Sequence, residues 1–192
     1  MRGFLKILLP LLTLAGFTSP VFAGEVYNRE PIEIPTIFGT KLIIGTNYPK
    51  EIVSFSEKHA PGTIIISTSQ RRLYYVLGDG KAIRYAIAVG KEGYAWAGTN
   101  TVSSKREWPD WTPTAEMRKR DPKLPVHMAG GPNNPLGARA LYLGNTLYRV
   151  HGTNEPWYMG TARSSGCIRM TNEDVIDLYN RTKIGATVIV RR

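Results

Sequence analysis

Cysteine is almost absent: Cys167 is the only one in 192 residues. A lone thiol excludes an intramolecular disulfide framework, a cysteine-rich zinc module and a C-x-x-C redox pair. Histidine is nearly as scarce, with three in the chain. One Cys and three His at these spacings give no recognisable metal-ligand set, and no metal or other cofactor is expected. Beyond the N-terminus there is no apolar run of ~18 or more residues, so the mature chain is not expected to span a membrane. Acidic residues are the minority charge, 15 against 25 Lys and Arg, for a formal charge of +10. What is present suits a folded protein. The hydrophobic share of 42% excludes wholesale disorder, and the length suits one domain whose core needs no metal or disulfide staple.

The N-terminus reads as an address. Arg2 and Lys6 supply a short positive region, Ile7 to Phe17 an apolar one, and Val21-Phe22-Ala23 small residues at −3 and −1 of a cleavage site. Residues 1–23 are therefore expected to be a signal peptide that exports the protein to the periplasm or cell wall. The competing reading is an uncleaved anchor; the shortness of the apolar run and its interruption by Pro10 favour cleavage. A basic excess ordinarily raises nucleic acid as a partner. Export argues against that, and the cations cluster only at Arg71-Arg72, Arg118-Lys119-Arg120 and Arg191-Arg192. No nucleic acid is expected; most of these residues read as solvated surface, with a general attraction to an anionic wall polymer.

Residues 24–60, with Pro31, Pro35 and Pro49 among short β-branched runs, read as an extended arm or edge strands leading into a domain over 61–192. Thr63 to Ser67 (TIIIS) reads as a buried strand. Arg71 to Leu77 and Ala82 to Val89 alternate as hairpin partners across Gly78-Asp79-Gly80. Residues 90–139 carry many prolines and tryptophans and read as a long irregular loop. Ala140 to Leu143 and Thr146 to His151, joined by Gly144-Asn145, read as a second hairpin. Thr171 with Asp174 three residues on is a helix start. Val175, Leu178 and Tyr179 then share a face, Asp177 and Arg181 stand at i,i+4, and Ala186 to Val190 is a last buried strand. The fold expected is mostly β, a sandwich or barrel-like sheet arrangement with one clear helix after Cys167.

The informative stretch is His151 to Met170, HGTNEPWYMGTARSSGCIRM, in which the lone Cys follows a His by sixteen residues. A strand ending in His151 presents its imidazole at a sheet edge, and a loop returning through Ser164-Ser165-Gly166 can bring Cys167 against it. A neighbouring imidazole draws a thiol toward thiolate from its reference pKa of ~8.5, which suits a nucleophile. Gly166 permits a tight turn, so that amide N–H groups near Cys167 can face a developing oxyanion. The bland alternative is a buried structural Cys. Arg169, two residues after Cys167, points to the same side on an extended segment and is expected to hold a substrate carboxylate or the loop, or else to make a structural salt bridge. Thr153 and Asn154 adjoin His151 and are expected to line the site. Trp157 and Tyr158 are expected to wall the groove. His59 and His127 read as incidental.

His151-Gly152-Thr153 followed by Ser164-Ser165-Gly166-Cys167-Ile168-Arg169-Met170 resembles the signature of the L,D-transpeptidase catalytic (YkuD-like) family. The resemblance runs over about Gly62 to Arg192, including Gly131-Pro132-Asn133-Asn134-Pro135-Leu136-Gly137. One departure is that Ser165 stands where many members carry a second His. The resemblance implies acyl transfer on peptidoglycan stem peptides. Cys167 would attack the carbonyl of the third stem residue and release the terminal D-alanine. His151 would act as base and then acid, with the Gly152 carbonyl orienting its ring, and the N–H groups of Gly166 and Cys167 would form the oxyanion site. Ser164 and Ser165 would line the substrate. The amine acceptor is left open between another stem peptide, an envelope protein and a free D-amino acid. Also open are a hydrolase using the same acyl-enzyme and a peptidoglycan-binding module without chemistry.

Overall fold

The computed structural model describes residues 32–36, 39–43, 49–90, 96–164 and 166–192. The expected signal peptide and Ser165 lie outside them. In the segment expected as an arm, β1 (Ile32–Thr36) and β2 (Gly39–Ile43) pair antiparallel. Next come β3 (Glu51–Ser54), β4 (Ile64–Ser67), β5 (Arg72–Gly78), β6 (Lys81–Ala86), β7 (Val89–Gly90) and β8 (Gly98–Glu107). Helix α1 (Ala115–Arg120), β9 (Arg139–Leu143), β10 (Arg149–His151), β11 (Ala162–Ser164) and β12 (Ile168–Arg169) precede α2 (Asn172–Arg181) and β13 (Thr187–Arg191). Nine of these strands form one sheet in the order β12-β10-β9-β8-β13-β4-β5-β6-β3. Its pairings are antiparallel except β10 with β12 and β4 with β13. β7 and β11 form a short parallel pair of their own. Ala88, just past β6, exchanges two 2.9 Å backbone hydrogen bonds with Arg169 of β12. That bridge draws the two ends of the sheet toward each other, the barrel-like tendency expected from the many short strands.

The pleat explains the apolar run in β4. Ile64 and Ile66 join Leu73, Tyr85, Leu141 and Val188 in the larger core, while Ile65 turns to the opposite face with Phe55, Val76 and Ala82. A strand covered on both faces reads as continuous rather than alternating hydrophobicity. The edge strand β3 supplies no fully buried side chain of its own, and the chain leaving it brings Phe55 over that second face.

Helix α2 closes the larger core with Val175 and Leu178, both fully buried. Thr171 caps it, its hydroxyl accepting from Asp174 N at 3.1 Å. At the other end Lys105 of β8 donates to the carbonyls of Tyr179 (2.5 Å) and Thr182 (2.7 Å), a cation where the helix dipole favours one. Asp177 does more than pair with Arg181 four residues on: it also accepts from the hydroxyl of fully buried Tyr85 at 2.6 Å. Hydrogen bonds to a charged group contribute about 1.5–3 kcal/mol. Tyr85→Phe is therefore expected to lower unfolding stability by an amount in that range, read from the urea midpoint at unchanged slope.

Residues 90–139 depart from the sequence expectation. They contribute β8, ten residues long and near the middle of the sheet between β9 and β13, and the short α1, capped by Thr114. Only Val102 of β8 is fully buried. The strand is held by backbone ladders on both sides and carries almost no apolar alternation that a sequence pattern could register.

Candidate active site

The β10–β12 pairing builds the site. In its parallel register Val150 lies beside Ile168 and His151 beside Arg169, so one step back Arg149 lies beside Cys167. Val150 and Ile168 are buried in the core. The pleat then turns Arg149, His151, Cys167 and Arg169 together to the other face, where they line a cavity of about 240 Å³. Ser164 completes this wall, and Pro135 and Leu136 lie beside it. The facing wall comes from the segment around α1, with Trp111, Thr114, Glu116, Met117 and Arg120.

His151 is 4% exposed, and its Nδ1 lies 2.7 Å from the Gly152 carbonyl oxygen. A carbonyl can only accept, so Nδ1 carries the proton and Nε2 is left as the accepting nitrogen. Burial pushes the imidazole pKa down to about 3, and the guanidiniums of Arg169 and Arg149 act in the same direction against the Gly152 carbonyl. Burial likewise pushes the Cys167 thiol up, opposed by Arg149 and Arg169. Both groups are thus neutral at rest. The thiol lies 3.7 Å from the Leu147 carbonyl, and no hydrogen bond joins it to the imidazole.

The turn into Cys167 is held from within. Ser164 Oγ donates to the Cys167 carbonyl at 2.5 Å and accepts from Gly166 N at 3.2 Å. Gly166 has φ of +116°, a conformation that a side chain makes costly. One of the two N–H groups expected to face an oxyanion is therefore engaged by Ser164.

Asn172, the first residue of α2, fixes the backbone around His151. Its Oδ1 accepts from Ala138 N (2.9 Å) and Thr153 N (3.2 Å). A Cβ on Gly152 would overlap that oxygen, so glycine after His151 is what lets the amide reach both donors. Asn172→Ala leaves two N–H groups of buried residues without an acceptor, at about 1–3 kcal/mol each. It is expected to lower the melting temperature and to reduce kcat more than KM, because the displaced group is the carbonyl that orients the imidazole.

Of the residues singled out from sequence, Cys167, His151, Ser164 and Arg169 share the cavity. Arg169 also reaches Glu155 at 3.4 Å, which ties the loop after His151 to β12. Thr153, Asn154 and Trp157 are not among the lining residues. Thr153 is buried and its hydroxyl accepts from Glu155 N at 3.0 Å, while Asn154 Nδ2 donates to the Asn133 carbonyl at 3.0 Å. Trp157 sits in a single 3-10 turn, Pro156–Tyr158, with its ring against Tyr158. His59 and His127 lie by Glu57 and Asp110, and neither lines the cavity. Sequence reasoning missed Trp111, Met117, Arg120 and Arg149. For Arg149 a signal existed, since it precedes His151 by two on a strand. Among the described residues no group of three His, Cys, Asp or Glu side chains is placed to hold a metal.

Residues 61–190 match the L,D-transpeptidase catalytic domain. The chain belongs to that family. The probable L,D-transpeptidase ErfK/SrfK of Escherichia coli K12 is 37% identical over 134 residues, 65% of this chain and 42% of that protein. The chain thus spans less than half of that relative's length. A solved Brucella melitensis structure, named a probable carnitine operon oxidoreductase, is 47% identical and aligns over 75% of this chain and 94% of its own, with a TM-score of 0.51. Its name belongs to a different chemistry; the two chains share sequence over most of their length and a fold. An L,D-transpeptidase from Mycobacterium tuberculosis shares the fold at 20% identity, over 68% of this chain and 57% of its own, with a TM-score of 0.53. The sheet apart from its edge strand β3 and the last residue of β13, together with α2 and the cavity beside Cys167, belongs to the segment that the family match covers.

Proposed function

We propose that the protein is an exported peptidoglycan L,D-transpeptidase of the periplasm or cell wall, with Cys167 as nucleophile and His151 as base. The observation that carries this reading is the β10–β12 register, which puts the only Cys and a buried neutral His on one wall of one cavity. The reaction requires the Cys167 thiol to leave the Leu147 carbonyl and reach Nε2. As Sγ attacks the carbonyl of the third stem residue, Nε2 takes the thiol proton, and Nδ1–H stays on the Gly152 carbonyl to support the transient imidazolium. The Cys167 N–H faces the oxyanion, joined by that of Gly166 when it leaves Ser164. Collapse breaks the peptide bond; the leaving D-alanine amine receives the proton from Nε2, and a thioester remains on Cys167. An acceptor amine then attacks the thioester, gives its proton to Nε2, and the departing sulfur regains it. No step calls for a metal or a nucleotide.

The acceptor, a second stem peptide or an amine on an envelope protein, is decided by product analysis. Incubation of the protein with a disaccharide-tetrapeptide is expected to yield free D-alanine and a cross-linked dimer by mass spectrometry. Tripeptide without dimer would favour a hydrolase with the same acyl-enzyme. Binding without D-alanine release would leave a wall-binding module. The same thiol is expected to be acylated by a carbapenem, seen as a stoichiometric gain in intact mass that Cys167→Ala abolishes.

A further inference from the structure

Arg149 is a cation in the cavity that no carboxylate among the described residues answers. Its side chain is half-buried with Nε shut away from solvent, and among the described residues Nε meets no acceptor. Among the described residues no carboxylate lies within ion-pair distance; the guanidinium sits over the Tyr142 ring, 5.2 Å from its centroid. The neighbouring arginines also keep a buried Nε without an acceptor, but each has a carboxylate at the end of its guanidinium. Arg169 has Glu155, and Arg139 has Glu107 and the Ala138 carbonyl. A guanidinium offers five donors in a rigid fork, and keeping them dry and unpaired is costly. The fold nonetheless leaves the Nε–H so, with the guanidinium over the Tyr142 ring and the strand pleat turning Arg149 to the side of Cys167. The balance of the cavity agrees: Arg120, Arg149 and Arg169 line it against Glu116 alone, and Glu155 answers Arg169.

We propose that Arg149 is a substrate-binding residue that takes a carboxylate of the acyl donor in a forked ion pair beside the reacting thiol. Adjacent strands lie about 4.8 Å apart, so the carboxylate it holds lies next to the scissile bond. Two carboxylates fit on the proposed transpeptidase reading: the terminal one of the leaving residue, and a side-chain one on the third residue. Either pairing fixes the carbonyl over Cys167 and lets the enzyme distinguish an ionised donor from its amide.

The test begins with a probe independent of the peptide reaction. Because Cys167 is the only cysteine, alkylation reads that site alone, and iodoacetate and iodoacetamide differ only in the carboxylate. Any change in thiolate content affects both reagents alike and cancels in the ratio of their rates. Arg149→Met is expected to lower the iodoacetate-to-iodoacetamide ratio about tenfold, Arg149→Lys to lower it less, and Lys81→Met to leave it within about twofold, since Lys81 is exposed at the turn of the β5–β6 hairpin and does not line the cavity. An unchanged ratio in both Arg149 variants, with unchanged melting temperatures, overturns the proposal.

The second arm uses three donors: the tetrapeptide, its C-terminal amide, and the peptide amidated on the third side chain. Arg149→Met is expected to raise KM for the parent by tenfold or more and to leave KM nearly unaltered for whichever amide lacks the contacted carboxylate. An equal loss on all three contradicts a carboxylate contact. If wild-type protein consumes none of them, the transpeptidase reading falls, while the alkylation ratio still decides whether Arg149 forms an anion site.

Discussion

On the proposed mechanism Cys167→Ala is expected to abolish D-alanine release from a tetrapeptide donor, by a factor on the order of 10⁴ or more, and to leave the fold in place. Loss of a nucleophile removes the covalent route itself, and what survives is binding and whatever the oxyanion donors contribute. The stability cost is expected to stay below about 1 kcal/mol, because the thiol makes one long 3.7 Å contact to the Leu147 carbonyl. Cys167→Ser is expected to fail nearly as fully: a hydroxyl is harder to ionise than a thiol, and burial on this wall already opposes charge. Rates from a coupled D-alanine assay, beside urea melts of the same preparations, separate lost chemistry from lost structure.

His151→Gln is expected to lower kcat by about 10²–10⁴, the range for removing a positioned base, and to change two pH profiles. With the imidazole pKa pushed down to about 3, wild-type kcat/KM carries no His151 inflection between pH 5 and 7, where an ordinary histidine of pKa ~6.5 would lose activity by protonation. Stability follows the opposite bookkeeping. Between about 3 and ~6.5 the unfolded chain binds a proton at this position that the folded chain does not. The stabilisation from keeping His151 neutral is thus complete above ~6.5 and is lost as pH falls toward 3, at up to about 1.4 kcal/mol per pH unit. His151→Gln should remove that slope. Urea midpoints from pH 6.5 to 5 read it above the window in which Asp177 and Glu57, both held below their ordinary values, begin to protonate. A wild-type slope no steeper than that of the variant would mean that the imidazole is not buried neutral.

The elements carried by local pattern were legible in the sequence. The β5–β6 hairpin follows alternation across Gly78-Asp79-Gly80, and α2 begins where Thr171 was expected to cap it. His151 and Cys167 were singled out by residue type and spacing, and the sheet places them on one wall. Elements carried by distant partners were not legible. β8 is polar and takes its place through ladders to β9 and β13. Asn172 acts on N–H groups 34 and 19 residues earlier in the chain. Thr153 and Asn154 show the limit of adjacency: they follow His151, but the chain leaves the strand at Gly152 and turns them away from the cavity. Arg149 is the instructive omission. The alternation that put Arg169 beside Cys167 applies equally to Arg149 and His151, and the register then makes all four neighbours.

The central claim, that Cys167 attacks the third stem residue and expels D-alanine, is tested most directly by rapid-quench intact mass spectrometry with a tetrapeptide donor and no acceptor amine. The expected result is a wild-type adduct with the mass of the tripeptide acyl group, located on Cys167 by digestion, appearing with one equivalent of D-alanine and absent from Cys167→Ala. Release of D-alanine by Cys167→Ala at the wild-type rate, with no adduct in either protein, would contradict it.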